Sequence, residues 1–556
     1  MADSRNLRLE IDAQPFSPFH DFDKIKTLFN HPTIFALTHK KNIFNNAHAL
    51  FVPGDVLSQT ALCSATAYST IEATLGKGEE HCILIICPSH ESEGKKVDTI
   101  FLPTFESIQI FNYPPVNVAT AYTEQLLRKG ILSEKNSQSR GPIFTKNNEI
   151  FTRELSFLSQ LPFIGFLSKI NPKIKIYPII YSLGVSALKV FFSAQTISEV
   201  FAPQNTILVS VGNLSQFNDF SSSLHGSSTE FAQLIRKNDN AALRWLSGEA
   251  SFLADFLNTP TLDKASALVH VYILGSPSWF ENKPSYSRLM CYYGTDAVTD
   301  PAFSEFGTDN LRRLPGENLK SDHKQISTYA SLVYTPEPFL SYPFMGMATI
   351  LTPMEEHALI HYAQQIISYK LQKKTGGNDD DHDKDKDKDK DDEPLPLFFS
   401  AGDTVSVGIF VTIKNEETQE VRGCVGTLVT DKWTIMEGTR HFAILAAFHD
   451  TRFGPLTLEE FNQNRFVLLI TFLGELKDIS LSQYMNEDNS LYEEGRDGIN
   501  IISDTGKSAY FLPNVITTLK LTRIQQLENL CRKAGEENID CYNTAKLQYN
   551  EGYTFL

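Results

Sequence analysis

Cysteine is scarce in this sequence, and its spacing fits neither a disulfide framework nor a metal centre. The 556 residues include seven cysteines, Cys63, Cys82, Cys87, Cys291, Cys424, Cys531 and Cys541. Secreted domains that depend on disulfides are far richer in cysteine. A CxxC pair and the CxxxCxxC cluster of radical-SAM enzymes are both absent from the sequence. We therefore predict reduced thiols in a cytoplasmic protein, with the nucleus as the alternative compartment.

Positive charge and long apolar runs are also lacking. The chain has 50 Lys and Arg against 66 Asp and Glu, a formal net charge of −16. General nucleic-acid binding needs a cationic footprint, and adsorption to anionic lipid needs one too. No run approaches the roughly 20 apolar residues of a membrane-spanning helix. We therefore expect neither nucleic acid nor membrane as a general partner. The abundant aromatic residues, 39 Phe and 20 Tyr, supply globular cores instead.

A low-complexity acidic segment covers residues 376–394, where Asp and Lys alternate. Such a composition cannot bury an apolar face, so we predict a disordered insertion. A metal-binding tract around His382 is the alternative, but the Gly and Glu positions of an EF-hand loop are not met. An amphipathic helix is predicted before the insertion, over 352–374, and strands after it, over 405–413 and 421–428. The segment therefore interrupts one domain and does not link two.

The first 300 residues alternate between strand-like and helix-like patterns. Apolar runs at 83–88, 175–180, 206–211 and 267–274 predict strands, and 231–246 predicts one of the helices between them. This alternation is typical of an α/β domain with a parallel or mixed sheet. In such sheets functional residues gather at the carboxyl ends of the strands.

Polar residues follow two of these predicted strands. Ser89 and His90 follow the first, and the segment 213–216 follows the third. Further along the chain, residues 301–350 are rich in Pro, Gly and polar side chains, so we predict a connector that contains a helix over 320–332.

The most distinctive motif is Val421–Thr427, a predicted strand in which Gly423 and Gly426 flank Cys424. Glycine within a strand indicates a bulge or a close backbone approach. A cysteine between two such glycines can open onto a cleft, and the neighbouring Arg422 would favour its thiolate form.

This motif resembles the Leu-Arg-Gly-Cys-Ile-Gly hexapeptide of the AMMECR family. An upstream segment is similar to the family's Gly-x-Phe-Val-Thr strand, and a downstream segment to its Ala-Ala-x-x-Asp-x-Arg-Phe-x-Pro-Leu turn. Three more segments follow in family order. The resemblance implies an α+β AMMECR-type domain over 351–556. The matching segments are 407–412, 421–427, 446–456, 498–499, 511–515 and 530–535.

Two interpretations of this motif remain open at the level of sequence. In the first, Cys424 is a nucleophile or ligand, Arg422 holds an anion, and His441 or His449 serves as the base. In the second, Cys424 is inert, and Arg422 pairs with Asp450 or Glu459 to fix a turn. The catalytic candidates are Cys424, Arg422 and His449. The predicted binding residues are Arg422, Gly423, Cys424, Gly426, Asp450 and Arg452.

The N-terminal part resembles the Memo family, whose α/β fold is similar to class III extradiol dioxygenases. The resemblance covers 33–300, after an N-terminal arm over 1–32. Its anchors are 51–55, which fits Val-Pro-His-Ala-Gly; 88–90, which fits Pro-x-His; 154–163, which fits Glu-His-Ser-x-x-x-Gln-Leu-Pro-Phe; and 213–217, which fits Asp-Leu-Ser-His-Tyr.

The residues that would hold a metal in the Memo family are mostly replaced here. A metal site needs several imidazole, carboxylate or thiolate donors, and of these only His90 remains. We therefore predict a vestigial pocket with no iron, copper or other cofactor. Its residues are Gly54, His90, Leu155, Asn213, Gln216 and Ser247.

Two functions follow from these resemblances. The first is a non-catalytic scaffold or adaptor, in which a degenerate Memo-like domain is fused to an AMMECR domain that binds a protein partner around Val421–Thr427. The second is an enzyme or modification factor that uses Cys424 and Arg422, together with a separate radical-SAM partner.

Overall fold

The computed structural model divides the chain into two compact units, each of which is described by itself. The first comprises residues 1–338 with 352–354 and 398–400, and the second comprises 339–351, 355–397 and 401–556. The structure describes residues 8–10, 22–30, 46–55, 57–75, 78–90, 98–110, 113–137, 142–217, 228–259, 263–280, 285–295, 326–336, 351–376, 394, 408–429, 432–463, 465–486 and 491–556.

The first unit is built on a mixed sheet with a parallel centre. Strands β8, β3, β9 and β2 lie side by side and parallel. The central strand Cys82–Pro88 is buried along its whole length. Such continuous apolar runs are typical of strands covered on both faces. The strands are β1 (Arg8–Glu10), β2 (Ala49–Val52), β3 (Cys82–Pro88), β4 (Ile100–Leu102), β5 (Ser107–Gln109), β6 (Val116–Val118), β7 (Phe144–Lys146), β8 (Lys175–Tyr181), β9 (Thr206–Val211), β10 (Gln216–Phe217), β11 (Tyr286–Gly294) and β12 (Ile326–Thr335).

Helices alternate with these strands, as the sequence pattern predicts for an α/β unit. The predicted strands at 83–88, 175–180 and 206–211 and the helix at 231–246 are all present. The helices are α1 (Phe22–Phe29), α2 (Leu57–Thr74), α3 (Ala121–Ser137), α4 (Leu155–Leu158), α5 (Leu161–Ile170), α6 (Ala187–Val200), α7 (Ser228–Leu246), α8 (Leu253–Asn258), α9 (Lys264–Leu274) and α10 (Pro277–Phe280).

Two predicted elements of the first unit are wrong. Residues 267–274 form most of helix α9 instead of a strand. A short run that is almost entirely apolar does not distinguish a helix from a strand. Of the helix predicted over 320–332, the described residues 326–332 are a strand instead, because Ile326–Thr335 is fully buried and pairs with β2 and β11. Its Val, Ile, Thr and Tyr content favours a strand. The sheet therefore includes residues that the sequence assigned to the connector 301–350.

The second unit contains an antiparallel sheet in the order β14-β13-β15-β19-β17-β18, with β16 beside β19. Strand β14 lies at one end of this order, where it pairs with β13. Strand β14 begins at Val421 and ends at Thr427, the bounds of the distinctive motif in the sequence. The strands are β13 (Gly408–Asn415), β14 (Val421–Thr427), β15 (Phe466–Leu473), β16 (Lys477–Ile479), β17 (Asp497–Ile502), β18 (Ser508–Phe511) and β19 (Lys546–Phe555).

Helices of the second unit flank this α+β sheet, and several have capping boxes. Thr434 and Glu437 cap α12 reciprocally, which satisfies backbone donors at its first turn. The predicted helix at 352–374 is confirmed as α11, whereas the acidic insertion that follows lies outside the described residues. The helices are α11 (Pro353–Gly376), α12 (Ile435–Phe448), α13 (Leu458–Gln463), α14 (Leu481–Met485), α15 (Pro513–Leu519) and α16 (Arg523–Lys533).

The expectation of reduced thiols throughout is wrong at one position. Cys531 at the end of α16 and Cys541 form a disulfide. Sequence spacing does not reveal it, because the two cysteines are brought together by the turn between α16 and β19. The other five cysteines are free, and four of them are buried, leaving Cys424 half-buried. Among the described residues, no helix is both long and apolar enough to cross a membrane.

Candidate functional site

The backbone of Cys424 is held by a carboxylate and a guanidinium from the turn after α12. Its N–H donates to Asp450 Oδ2 at 2.8 Å, and its carbonyl accepts from Arg452 Nη2 at 2.9 Å. Arg452 also donates from Nε to Asp450 Oδ1 at 3.0 Å and from Nη2 to Oδ2 at 2.7 Å. The predicted binding residues Cys424, Asp450 and Arg452 therefore form one connected group.

The Arg452 guanidinium keeps Asp450 ionised to a lower pH than an ordinary aspartate. Its hydrogen bonds lower the pKa of the Asp450 carboxyl to about 2, against the opposing effect of burial, and the Cys424 N–H lowers it further. A carboxylate that accepts several charge-assisted hydrogen bonds is strongly stabilised in its ionised form. Asp450 is therefore ionised, and its charge is neutralised by Arg452.

The sulfur of Cys424 contacts a hydroxyl and not an imidazole. Thr412 Oγ1 donates to Cys424 Sγ at 3.2 Å from the neighbouring strand β13. Within the described part of the chain, no hydrogen bond joins the sulfur to His441 or His449. The His441 ring stacks on Trp433 at 4.4 Å, and His449 ends helix α12 as an exposed residue. The structure thus does not bring either proposed base to Cys424.

Arg422 is saturated by a partner that the sequence analysis did not name. Its Nε contacts Glu460 Oε1, and its Nη2 donates to Glu460 Oε2 at 2.9 Å and to the Gly454 carbonyl at 3.0 Å. The prediction of Asp450 or Glu459 as the partner of Arg422 is therefore wrong, although a role in fixing the turn agrees with these contacts. The Arg422 side chain is also only 20% exposed, so these contacts make it a structural residue of the turn.

Gly423 and Gly426 allow neighbouring backbone to approach β14 closely. A Cβ atom on Gly423 would lie 2.1 Å from the Ala446 carbonyl oxygen of α12, and one on Gly426 would lie 2.3 Å from the Ile409 carbonyl oxygen. Neither position has room for a side chain without a backbone shift. The close approach predicted from glycine in a strand is thus present at both positions.

The sheet curls, so that its two ends approach each other. Phe410 on β13 and Tyr510 on β18 stack with ring centroids 6.2 Å apart, although β15, β19 and β17 lie between these strands in the sheet. Register places Thr412 opposite Cys424, and Phe410 lies two residues from Thr412 on the same face. This concave face therefore carries Cys424, Thr412, Phe410 and Tyr510.

Lys533, the last residue of α16, lies beside this group. Its Nζ donates to the Tyr510 carbonyl at 2.8 Å and lies 5.1 Å from the Phe511 ring centroid. Partial burial lowers the pKa of Lys533, Cys424 raises it, and the Arg452 charge lowers it further. The Lys533 ammonium group therefore lies within electrostatic range of both Cys424 and Arg452. The sequence pattern around Lys533 indicates only a helix terminus.

In the first unit, His90 lies between two buried carboxylates. Its Nε2 is 2.6 Å from Asp263 Oδ1, its Nδ1 is 3.3 Å from Glu154 Oε1, and its backbone N–H donates to Glu154 Oε2 at 2.8 Å. Burial alone would lower the pKa of His90, but the two carboxylates outweigh it and raise the pKa to about 11. His90 is therefore an imidazolium ion at neutral pH.

Gly54 and Asn213 belong to the same network. The Gly54 N–H donates to Asn213 Oδ1 at 3.0 Å, and the Asn213 N–H donates to Asp263 Oδ2 at 2.6 Å. Gly54, His90 and Asn213 each lie two residues beyond the carboxyl end of a parallel strand, namely β2, β3 and β9. The sequence predicts this strand-end location for His90 and Asn213. Gly54, which was named from the Memo resemblance, joins them.

The other three residues of the predicted vestigial pocket have different roles. Leu155 begins α4 directly after Glu154, and Gln216 lies in the short strand β10, which pairs with β12. Ser247 donates to the Leu243 carbonyl at 2.9 Å and accepts from Ser287 at 2.9 Å. No described contact joins Gln216 or Ser247 to His90.

Among the described residues, which include this network, no group of three or more His, Cys, Asp or Glu side chains is placed to hold a metal ion. The donors present at His90 are two carboxylates that are already engaged by the imidazolium and by backbone N–H groups. These residues therefore form an ion-paired cross-link.

Two carboxylates, Asp263 and Glu460, were missed by the sequence analysis. Asp263 precedes α9, and its position before a helix was hidden because that helix was assigned as a strand. Glu460 lies in a run of acidic residues on the short helix α13, where nothing in the sequence distinguishes it from Glu459. Glu154 was part of a quoted motif but was not proposed as a partner of His90.

Comparisons with known proteins agree with the C-terminal motifs. The sequence model of the AMMECR1 family matches residues 360–553. An uncharacterized protein of Kluyveromyces lactis is 33% identical over 144 residues, which cover 24% of this chain and 60% of the relative. A protein of Thermoplasma volcanium is 32% identical over 128 residues, which cover 23% of this chain and 61% of that relative.

A crystal structure of an uncharacterized protein from Pyrococcus horikoshii is also similar, with 25% sequence identity and a TM-score of 0.27. The match covers 35% of this chain and 88% of that chain. The chain spans about three fifths of the length of the curated relatives from Kluyveromyces lactis and Thermoplasma volcanium.

Proposed function

Since residues 360–553 form an AMMECR1 domain, we propose that this chain is a non-catalytic binding protein of the adaptor type. A protein partner docks on the surface formed by Cys424 of β14, Arg452 of the turn after α12 and Lys533 of α16, which we term the Cys424 rim. The partner presents an acidic group to this rim.

The observation that carries the proposal is the full engagement of Cys424. Its backbone N–H and carbonyl are bound by Asp450 and Arg452, and its sulfur accepts from Thr412. A nucleophilic cysteine requires a base within hydrogen-bond reach, and both histidines proposed for that role have other positions. This arrangement supports recognition in preference to a reaction at the thiol.

Charge supports an acidic group on the partner. Asp450 neutralises one positive charge at the rim, while Arg452 and Lys533 supply two. The Arg452 side chain is 57% exposed, so it can reach an incoming carboxylate without leaving Asp450. Electrostatic complementarity of this kind contributes chiefly to specificity and association rate.

The first unit is, in this proposal, a degenerate Memo-like domain with a structural role. The convergence of Gly54, His90 and Asn213 at neighbouring strand ends supports the assignment, because the Memo resemblance rests on those positions. The ion pairs of His90 with Asp263 and Glu154 support a structural role, because they leave no free donor on the ring.

A photo-cross-linker attached to the Cys424 thiol tests partner binding. Cys424 is the half-buried free cysteine, whereas the other free cysteines are buried. Cross-linked proteins are identified by mass spectrometry from wild-type chain, Lys533→Glu and Lys477→Glu. Lys477 is an exposed residue of β16 and serves as the matched charge reversal. We expect the same proteins with wild type and Lys477→Glu, and at least a tenfold loss with Lys533→Glu. Equal capture by all three chains contradicts the proposed rim.

The alternative is an enzyme or modification factor that reacts through Cys424. One observation favours it, since Arg452 and Lys533 are both cations within electrostatic range of Cys424. The rate of Cys424 alkylation by iodoacetamide at pH 7 is compared with that of N-acetylcysteine. A rate at least tenfold above that of the free thiol supports the enzyme, and an equal or lower rate supports the binding protein.

A further inference from the structure

We propose that a cavity of the second unit, between helices α11 and α13, binds the base of a nucleoside. The cavity has a volume of about 300 Å³ and lies on the helix-covered side of the sheet. This inference goes beyond the proposed function and concerns a different surface. Leu468 at its base pairs with Ile413, whereas Thr412, which contacts Cys424, pairs with Leu469 and so faces the opposite side.

One wall of the cavity is aromatic. Phe461 on α13 and Phe466 at the start of β15 are nearly parallel, with an interplanar angle of 21° and ring centroids 6.3 Å apart. Both rings line the cavity and are half-buried. Aromatic rings arranged in this way favour a flat ligand, and stacking of a base on such a ring tolerates any of the four bases.

The opposite wall supplies amides. Gln364 and Gln365 line the cavity from α11, together with His361 and Ser368 one turn to either side. Both glutamines are half-buried, and no hydrogen bond joins either amide to another described residue. An amide offers a donor and an acceptor side by side, which matches the donor and acceptor pattern on the edge of a nucleobase. Both amides are therefore available to bind a neutral ligand with complementary donors and acceptors.

Size and charge restrict the ligand further. The volume is at the lower end of the range for small-molecule pockets, so it suits one base with its sugar. The lining contains no Lys, Arg, Asp or Glu, and His361 is its sole titratable residue. Phosphate groups would find no cation in it. The ligand is accordingly a nucleoside and not a nucleotide or a nucleic acid.

The aromatic wall is fixed in place by the edge strand. Arg422 on β14 binds Glu460 through two nitrogens, and Glu460 is adjacent in sequence to Phe461. A short helix such as α13 has little stability by itself, and this ion pair anchors it. The cavity is therefore preorganised, which reduces the ordering cost of binding.

Isothermal titration of the full chain with adenosine, guanosine, cytidine and uridine tests the proposal. We expect saturable millimolar or tighter binding of at least one nucleoside. Phe461→Ala should weaken it at least tenfold through lost stacking, and the double variant Gln364→Ala/Gln365→Ala should weaken it similarly. Gln463→Ala is the control, because this glutamine lies on α13 but outside the cavity lining. It should bind as wild type does.

Two results would overturn the proposal. One is the absence of saturable binding of all four nucleosides to the wild-type chain. The other is binding that persists unchanged in both cavity variants while their thermal unfolding midpoints match the wild type. N-acetyltyrosinamide is titrated as a second flat ligand with an amide edge. Its binding in place of every nucleoside would assign the cavity to a partner's aromatic side chain instead.

Discussion

The Asp450 carboxylate accepts a hydrogen bond from the backbone N–H of Cys424 at 2.8 Å, which ties the turn after α12 to the edge strand β14. Edge strands expose unpaired backbone groups that invite association with other strands. At Cys424 both outward groups are taken, the N–H by Asp450 and the carbonyl by Arg452. The ion pair therefore protects the edge and positions the residues of the rim.

Replacing Asp450 by Asn should reduce the free energy of unfolding at pH 7 by about 2 kcal/mol, since the folded-state pKa of about 2 lies below the ordinary value. A depressed carboxyl pKa stabilises the fold above about pH 4, and this contribution is lost as the pH falls toward 2. Urea unfolding at pH 7 and pH 2.5 measures both effects. Asp504→Asn, in an exposed turn, is the control and should differ little from wild type. Equal stability of the two variants at pH 7 would contradict the role of Asp450.

Gly423→Ala should lower the thermal unfolding midpoint of the second unit by several degrees. Its Cβ would lie 2.1 Å from the Ala446 carbonyl oxygen, so α12 must move away from β14. Overpacking of this kind costs about 1–3 kcal/mol. Gly454→Ala is the matched control, because its Cβ would have no atom within 4 Å. Differential scanning calorimetry compares the two variants, and a loss for Gly454→Ala as large as that for Gly423→Ala would refute the steric explanation.

Local patterns predicted those elements whose residues all favour one structure. The strands around Cys82–Pro88 and Val421–Thr427 were found because β-branched or glycine-containing runs were bounded by clear breaks. Helix α9 was missed because its apolar run over 267–274 is interrupted only by the buried His270 and so has no readable period. Strand β12 was missed because its neighbours along the chain are polar and its partners β2 and β11 are remote in sequence.

In the candidate site too, local motifs could be predicted from the sequence and long-range contacts could not. Cys424, Asp450 and Arg452 could be named in advance because they lie in recognisable motifs. Their contacts with Thr412 and Lys533 could not, because these depend on strand register and on the curl of the sheet. A single sequence does not show which remote residues pair in the fold.

Asp239 provides a pH-dependent prediction in the first unit. This fully buried carboxyl accepts hydrogen bonds from the Ser215 N–H at 2.9 Å, Thr328 Oγ1 at 3.0 Å and Tyr292 OH at 2.6 Å. Burial nevertheless outweighs these bonds and raises the pKa of Asp239 to about 6. The protonated form therefore stabilises the fold below about pH 4, and this stabilisation is lost as the pH rises through 6.

Asp239→Asn should remove that pH dependence, because the amide does not titrate. We expect the wild-type free energy of unfolding to fall between pH 4.5 and 6.5 by more than that of the variant, by about 2 kcal/mol at most. Urea titrations at several pH values measure the difference. Asp255→Asn, on the surface helix α8, serves as the comparison and should keep the wild-type slope. A variant with an unchanged slope would assign the dependence to another group.

His90 provides the strongest electrostatic prediction. The carboxylates of Asp263 and Glu154 hold its pKa at about 11, so the ring stays protonated far above its ordinary range. A histidine pKa that is raised on folding stabilises the fold fully below about pH 6.5, and this stabilisation disappears as the pH rises through 11. The His90 ring signals in NMR spectra should therefore show no titration between pH 6 and 9.

His90→Gln should destabilise the first unit by about 3–5 kcal/mol, because it leaves two buried carboxylates without a cation. The loss should shrink when Asp263→Asn is added, since the double variant removes one of the uncompensated charges. His449→Gln is the control, because its side chain is exposed at the end of α12. Urea unfolding at pH 7.5 compares the four chains. A His90→Gln variant as stable as His449→Gln would show that the ion pairs contribute nothing, and the structural role proposed for this network would fail with them.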